Sequence, residues 1–259
     1  MIEIAGTGED GRTVEVGAQR PVPGTLPVLP LRETIPLPDT LTPLAVGQER
    51  SIRLVDDVLR GNRMLVMVAS RNPEVEAPGP EDLYDVGVVG AIARMIKVPD
   101  GTMRVLVQGG QRVHIDRWVG ETPYLVAEVS EQPDVVPVAD AELEALVRNV
   151  RTTFSSIVEG NPYLPEELQL AIANIDDPSA LSHLIAGSLR IRPEEKQGLL
   201  EEVDVARRLR RLVEILAREL EVISIGSEIQ SQVQSEIDKG QREFVLRQQL
   251  EAIRRELGE

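Results

Sequence analysis

The chain has 259 residues, 42% apolar and 27% charged, with a net charge of −15. This is a globular composition, long enough for one large domain or two ordinary ones. Cysteine is absent and histidine occurs twice, at His114 and His183, which excludes disulfides and thiol chemistry and argues against a metal site. The longest apolar run, Val86 to Ala93, falls far short of the roughly 20 residues of a bilayer span. The acidic surplus repels duplex nucleic acid, and the first residues, with Glu3, Glu9 and Asp10, do not read as a secretory leader.

Residues 1–25 carry five glycines and little periodicity, and are expected to form a disordered leader. Leu26–Leu31 contains Pro27 and Pro30, so it is expected as an edge strand or an irregular extended segment. Gln48–Arg60 places Ile52, Val55, Val58 and Leu59 at helical spacing, with Gly61 as the stop. Met64–Ala69 reads as a buried strand. Val86–Val98 and Thr102–Gln108 flank Pro99, Asp100 and Gly101, the signal of a hairpin. Arg112–Val119, with His114 on its outward side, and Tyr124–Val129 complete a β-rich domain over residues 26–132.

Helices follow over residues 139–203. Asp140 is a candidate cap for a helix that carries Leu143, Leu146, Val147, Val150, Phe154, Ile157 and Val158 on one face. Pro165, Pro178 and Pro193 stand where helices begin. From Asp204 to Glu259 there is no proline, and apolar residues stand at Leu209, Leu212, Leu216, Leu220 and Ile223, then Ile229, Val233 and Ile237, then Leu246, Leu250, Ile253 and Leu257, with spacings of three and four dominant. Gly226 and Gly240 interrupt this arm, which if continuous reaches roughly 80 Å. The arm is expected to find another surface, in its own head, in a neighbouring subunit, or in residues outside this sequence. Leu216, Leu220, Ile223, Ile229, Val233, Ile237, Leu250, Ile253 and Leu257 are the candidate oligomerisation residues.

Catalytic motifs fail in context. Gly6 to Gly11 spells GxGxxG, but no strand precedes it and Glu9 and Asp10 would repel phosphate. No phosphate-binding loop and no GxSxG elbow occur, and there are three lysines in all. Ser182 and His183 are sequence neighbours that point apart on a helix, and are read as partly exposed bundle residues. Arg207, Arg208, Arg210 and Arg211 lie close to Glu214, Glu219 and Glu221 and read as a solvated helix face. The acidic pairs Glu81/Asp82, Asp176/Asp177 and Glu194/Glu195 suit helix starts. No catalytic or metal-binding residue is assigned to this chain.

What remains is apolar surface. The prolines of Thr34–Leu44 forbid regular pairing, and three more stiffen Arg71–Tyr84. Apolar side chains on such loops either plug the edge of the core or form a patch for other proteins. The second reading selects Ile35, Leu37, Leu41, Leu44, Val75, Leu83 and Tyr84 as contacts for an unfolded chain.

Leu26–Arg32 (LPVLPLR), Pro43–Gly47 (PLAVG), Val86–Ala93 (VGVVGAIA), Pro99–Thr102 (PDGT), Val105–Gly109 (VLVQG) and Arg112-Val113 together resemble the N-terminal domain of the Lon protease family. Asp238–Glu259 resembles the long helix that precedes its ATPase module. The resemblance implies an α+β fold: a β-rich pseudo-barrel (PUA-like) head, then a helical bundle running into a long coiled-coil-like helix. It also implies a cytoplasmic homohexamer, an ATP-dependent serine protease acting on unfolded, damaged or tagged proteins. Its ATP and Mg site and Ser–Lys dyad would lie beyond Glu259, so this chain itself is expected to need no cofactor. Membrane and nucleic-acid roles are not expected. Two alternatives stay open: a structural spacer that does not touch substrate, and a hydrolase with an unrecognised site.

Overall fold

A computed structural model describes residues 21–99, 101–136, 141–161 and 163–257, with 251, 256 and 257 by backbone alone. Most of the expected leader, the GxGxxG stretch, Asp100 and Asp140 fall outside the described residues. The chain divides into two compact units, one ending at Pro133 and the other beginning at Asp134.

The first unit contains β1 (Thr25–Leu31), β2 (Leu41–Val46), α1 (Glu49–Arg60), β3 (Met64–Ala69), β4 (Val86–Lys97), β5 (Met103–Gly120) and β6 (Val126–Glu131). The strand order is β2-β5-β4-β3-β1-β6, and β6 pairs back onto β5. Five strands therefore close into a barrel, and β2 extends β5 outside the ring. The interior is filled by Leu26, Val28, Val66, Val68, Val113, Leu125 and Ala127, all buried.

Three sequence expectations are corrected here. β1 is not an edge strand: it lies between β6 and β3. Its pairing is staggered, with residues 25–27 in register with β6 and residues 28–31 parallel to β3. Each residue thus meets a strand on one side, which accommodates Pro27 and Pro30. Thr102–Gln108 and Arg112–Val119 are not separate strands but one 18-residue strand. It shifts register against β4 and β6, and such irregularities bend a long strand enough to serve several neighbours. Finally, the prolines of Thr34–Leu44 do not prevent pairing. Pro43 sits in β2 opposite Leu106, at the end of the sheet, where a missing N–H is tolerated.

The hairpin joining β4 to β5 turns at Gly101, whose φ of +86° suits glycine alone among common residues. The α1 helix ends at Gly61, whose N–H donates to the Val58 carbonyl at 3.1 Å.

The second unit contains α2 (Ala141–Gly160), α3 (Glu167–Ala173), α4 (Pro178–Ser188), α5 (Pro193–Glu201) and α6 (Val205–Leu257). Asp177 caps α4, accepting from the N–H groups of Ser179 and Ala180 at 3.3 and 3.0 Å. Asp204 does the same for α6, accepting from Arg207 N–H at 3.0 Å. Phe154, Ile157, Leu181, Ile185, Leu200, Leu209, Leu212 and Leu216 are fully buried and make the core of this bundle. The α6 helix runs unbroken for 53 residues through Gly226 and Gly240, so the glycines do not interrupt it. Among the described residues, no helix is long and apolar enough to cross a membrane.

Candidate functional site

The loop before β2 is sealed rather than presented. Residues Ile35 to Pro38 are all buried. Thr40 Oγ1 donates to the Leu37 carbonyl at 2.7 Å, and Gly109 N–H donates to the Thr40 carbonyl at 2.8 Å. A side chain at Gly109 would place its Cβ 2.4 Å from the Leu37 oxygen, so the absence of one lets the loop lie directly on β5.

The segment between β3 and β4 is anchored from three sides. Arg32 Nε donates to the Pro73 carbonyl at 2.9 Å. Arg50 Nη2 donates to the Pro78 carbonyl at 3.0 Å, and Gln48 donates to that of Glu76. At its base Arg71 donates to the Leu83 carbonyl, pairs with Asp85 at 3.0 Å, and stacks 4.7 Å from the Tyr84 ring centroid. Leu83 joins the barrel core, and Tyr84 packs against it.

The predicted patch is therefore corrected. Ile35, Leu37, Leu44 and Leu83 are buried, because the loops close the barrel's rim and aim these side chains inward. They cannot contact another chain in this structure. Val75 and Tyr84 are half-buried, and Leu41 is 52% exposed.

Leu41 belongs instead to a face the sequence reading missed. On β2 it alternates outward with Pro43 and Ala45, while Thr42, Leu44 and Val46 point inward. Across the sheet the outward positions line up in three rows: Leu41, Gln108 and Ala91; Pro43, Leu106 and Arg94; Ala45, Arg104 and Ile96. All nine are exposed or half-buried, and Ile96 is 57% exposed. Apolar side chains and two arginines share this face, and none of the nine positions holds a carboxylate. The period-two alternation of Leu41–Val46 was the available signal; Pro43 hid it.

The bundle hides a polar cluster. Arg208 is 1% exposed, not on a solvated face as expected. Its Nε and Nη2 donate to the Glu202 carbonyl at 2.9 and 2.7 Å, and Nη2 also pairs with Asp134. Its Nη1 donates to Ser179 Oγ at 3.0 Å, Ser182 Oγ at 3.3 Å and His183 Nε2 at 2.9 Å. A guanidinium has no acceptor, so His183 Nε2 is the unprotonated nitrogen of its ring. Ser182 and His183 are buried, correcting the partly exposed reading. With its free ring nitrogen already facing a cation, His183 is held for packing and cannot take a proton from Ser182 in the manner of an acyl-transfer base. His114 lies at the surface beside Asp116, 3.0 Å away. Among the described residues no group of three or more potential ligands gathers for a metal.

The candidate arm residues divide. Leu216 is buried in the bundle, a correction, and Leu220 and Ile223 are half-buried. Ile223 packs close to Gly160, where an added Cβ would stand 2.7 Å from it. Ile229, Val233, Ile237, Leu250 and Ile253 are exposed. The side chain of Leu257 lies outside the described residues.

Residues 25–218 match the family model for the ATP-dependent protease La (LON) substrate-binding domain. The chain belongs to the Lon substrate-binding domain family. It is 42% identical over 245 residues to Lon protease of Dictyoglomus thermophilum, covering 95% of this chain and 31% of the relative. It is likewise 42% identical over 235 residues to Lon protease 2 of Herpetosiphon aurantiacus, covering 90% and 29%. The chain thus spans about three-tenths of the length of these curated relatives. Among solved structures, the N-terminal domain of Mycobacterium avium complex Lon protease aligns with a TM-score of 0.63 at 24% identity, covering 74% of this chain and 98% of that one. A Lon N-terminal domain protein from Xanthomonas campestris aligns with a TM-score of 0.54 at 22% identity, covering 73% and 97%. These two likenesses speak to the fold, an α+β head and helices, as expected. The matched Lon family is a protease family; the model matched by this chain describes its substrate-binding part, not a peptidase or an ATPase.

Proposed function

We propose that this chain recognises non-native polypeptide for a Lon-type ATP-dependent protease, and that the outward face of β2, β5 and β4 makes the contact. One observation supports this site above all: a register-defined apolar surface with Arg94 and Arg104, free of carboxylates, on a chain of net charge −15. Extended chains that expose apolar residues gain burial there, and the two arginines attract their acidic flanks. The face is preformed on three paired strands, so little entropy is lost on binding. In this reading the protein works as a cytoplasmic homohexamer, and ATP, Mg and the Ser–Lys dyad belong to the rest of that machine. Leu41 stays in the proposed site; Val75 and Tyr84 belong to the segment between β3 and β4 and are not among the positions of this face.

The test is fluorescence anisotropy of a labelled, reduced and carboxymethylated protein against the full 259-residue chain. A folded control protein should bind far more weakly. The double variant Leu41→Asp/Ile96→Asp should lose about tenfold in affinity, a cost of roughly 1.4 kcal/mol. Val119→Asp, also at an exposed position in β5, should bind as the parent does. Equal binding by the double variant would reject this face. Equal binding of folded and unfolded probes would reject the recognition role and leave the spacer reading, which the exposed apolar row of α6 favours.

A further inference from the structure

The first turns of α6 bury Leu209, Leu212 and Leu216 in the bundle. Beyond them a second apolar row faces solvent. Val222, Ile229, Val233, Ile237 and Phe244 are each at least 48% exposed. Gly226 and Gly240 fall on the same row, and a Cβ built on either meets nothing within 4 Å. At 3.6 residues per turn, these seven positions fall within about 80° of the helix circumference. The distal residues Leu246, Leu250 and Ile253 point about 130° away, so the row ends at Phe244.

From Val222 the spacings run 4, 3, 4, 4, 3 and 4. This is an 11-residue pattern, close to the natural turn of a helix, so the row follows the axis instead of winding as a left-handed seam. The series reads the same in reverse. Val233 is its centre, with Ile229 and Ile237, Gly226 and Gly240, and Val222 and Phe244 equidistant on either side. An antiparallel helix pair about a two-fold axis requires that symmetry, because residue i meets residue j and j meets i. A parallel in-register pair requires no palindrome.

We infer that this segment of α6 docks antiparallel against the same segment of a second copy, about a two-fold axis at Val233. In that register Phe244 faces the smaller Val222, which evens the packing volume along the seam, and glycine faces glycine where the backbones approach. The flanks permit it. In this register Gln230 stands level with Glu236, and Gln232 with Gln234, so these flanking levels set no two like charges against each other. The inference rests on reading α6 as a self-association arm and adds its partner, orientation and register.

The absence of cysteine makes the test direct. Gly226→Cys and Gly240→Cys chains, mixed and oxidised, should form a disulfide between the two variants, while neither variant alone should link to itself. Val233→Cys should link to itself. Sedimentation should show a concentration-dependent dimer, abolished by Val233→Asp with helix content unchanged by circular dichroism. Self-linking of Gly226→Cys would overturn the antiparallel register while leaving self-association intact. A monomer up to the highest soluble concentration would overturn both.

Discussion

Arg208→Met removes a guanidinium that is 1% exposed and replaces it with a side chain of similar length. The loss leaves the Glu202 carbonyl, Ser179, Ser182 and His183 without the donor they share, and Asp134 without its cation. Breaking one side of a buried pair costs about 3–5 kcal/mol. Asp134 keeps its hydrogen bond from Ser179 and is 21% exposed, so the lower end applies, near 3 kcal/mol. With a urea m-value of about 2 kcal/mol per molar, the midpoint should fall by roughly 1.5 M. Far-UV circular dichroism reports the helices, and the fluorescence of Trp118, the single tryptophan, reports β5. The control is Arg207→Met, a position 69% exposed whose carboxylate partner is 3.8 Å away; it should cost under about 0.5 kcal/mol. A dichroism midpoint for Arg208→Met that matches the Arg207→Met control would refute the claim that this cluster holds the bundle together. In a double-mutant cycle, Asp134→Ala should cost much less in the Arg208→Met background than in the parent, since the two share one interaction.

Gly87→Ala would bring a Cβ within 2.4 Å of the Met67 carbonyl oxygen, forcing β4 away from β3. It should lower barrel stability by about 1–3 kcal/mol by Trp118 fluorescence, whereas Gly120→Ala, with nothing within 4 Å, should leave it nearly unchanged. The Glu195 carboxyl is pulled down to about 2 by hydrogen bonds from Arg192 and Arg218, with their charges assisting against desolvation. Its folded value lies below its unfolded one, so its contribution is complete above about pH 4.5 and fades as pH falls toward 2. Melting temperatures between about pH 6 and pH 3 should therefore fall more steeply in the parent than in Glu195→Gln, by less than about 1 kcal/mol because the arginines are solvated; parallel profiles would rule the contribution out.

The sequence carried its periodic elements openly. The α1 helix, the α2 face and the Gly101 turn arise from local spacing and backbone preference, and each formed where its residues indicated, although α1 buries Ser51 and Leu54 with Val55 and Val58 and leaves Ile52 and Leu59 half-buried. What stayed hidden depended on neighbours distant in the chain. Pro27 and Pro30 argue for an edge until one knows that β6 covers one half of β1 and β3 the other. Leu37 looks like an exposed loop residue until Gly109 vacates the space that lets its backbone lie on β5. Arg208 sits in a run of arginines that local pattern assigns to water, and only Asp134, 74 residues earlier, and the carbonyl of Glu202 make its burial tolerable.

The same reasoning explains why two apolar surfaces stayed outside the core. The head's alternating strands bury one side of β2, β5 and β4, and the barrel is already filled by the ring behind them. Leu41, Pro43, Leu106 and Ile96 thus have no interior left to occupy. On α6 the change of face after Leu216 has a similar consequence. Had the row continued at the angle of Leu209 and Leu216, it would read as more of the bundle seam; its rotation takes Val233 and Ile237 away from that seam. Leu246 onward rotates again, so a single flat partner covering Val222 to Phe244 leaves Leu250 and Ile253 for a different surface. One helix therefore offers successive docking faces, and a substitution at Val233 should affect pairing with the second copy while one at Leu250 should not.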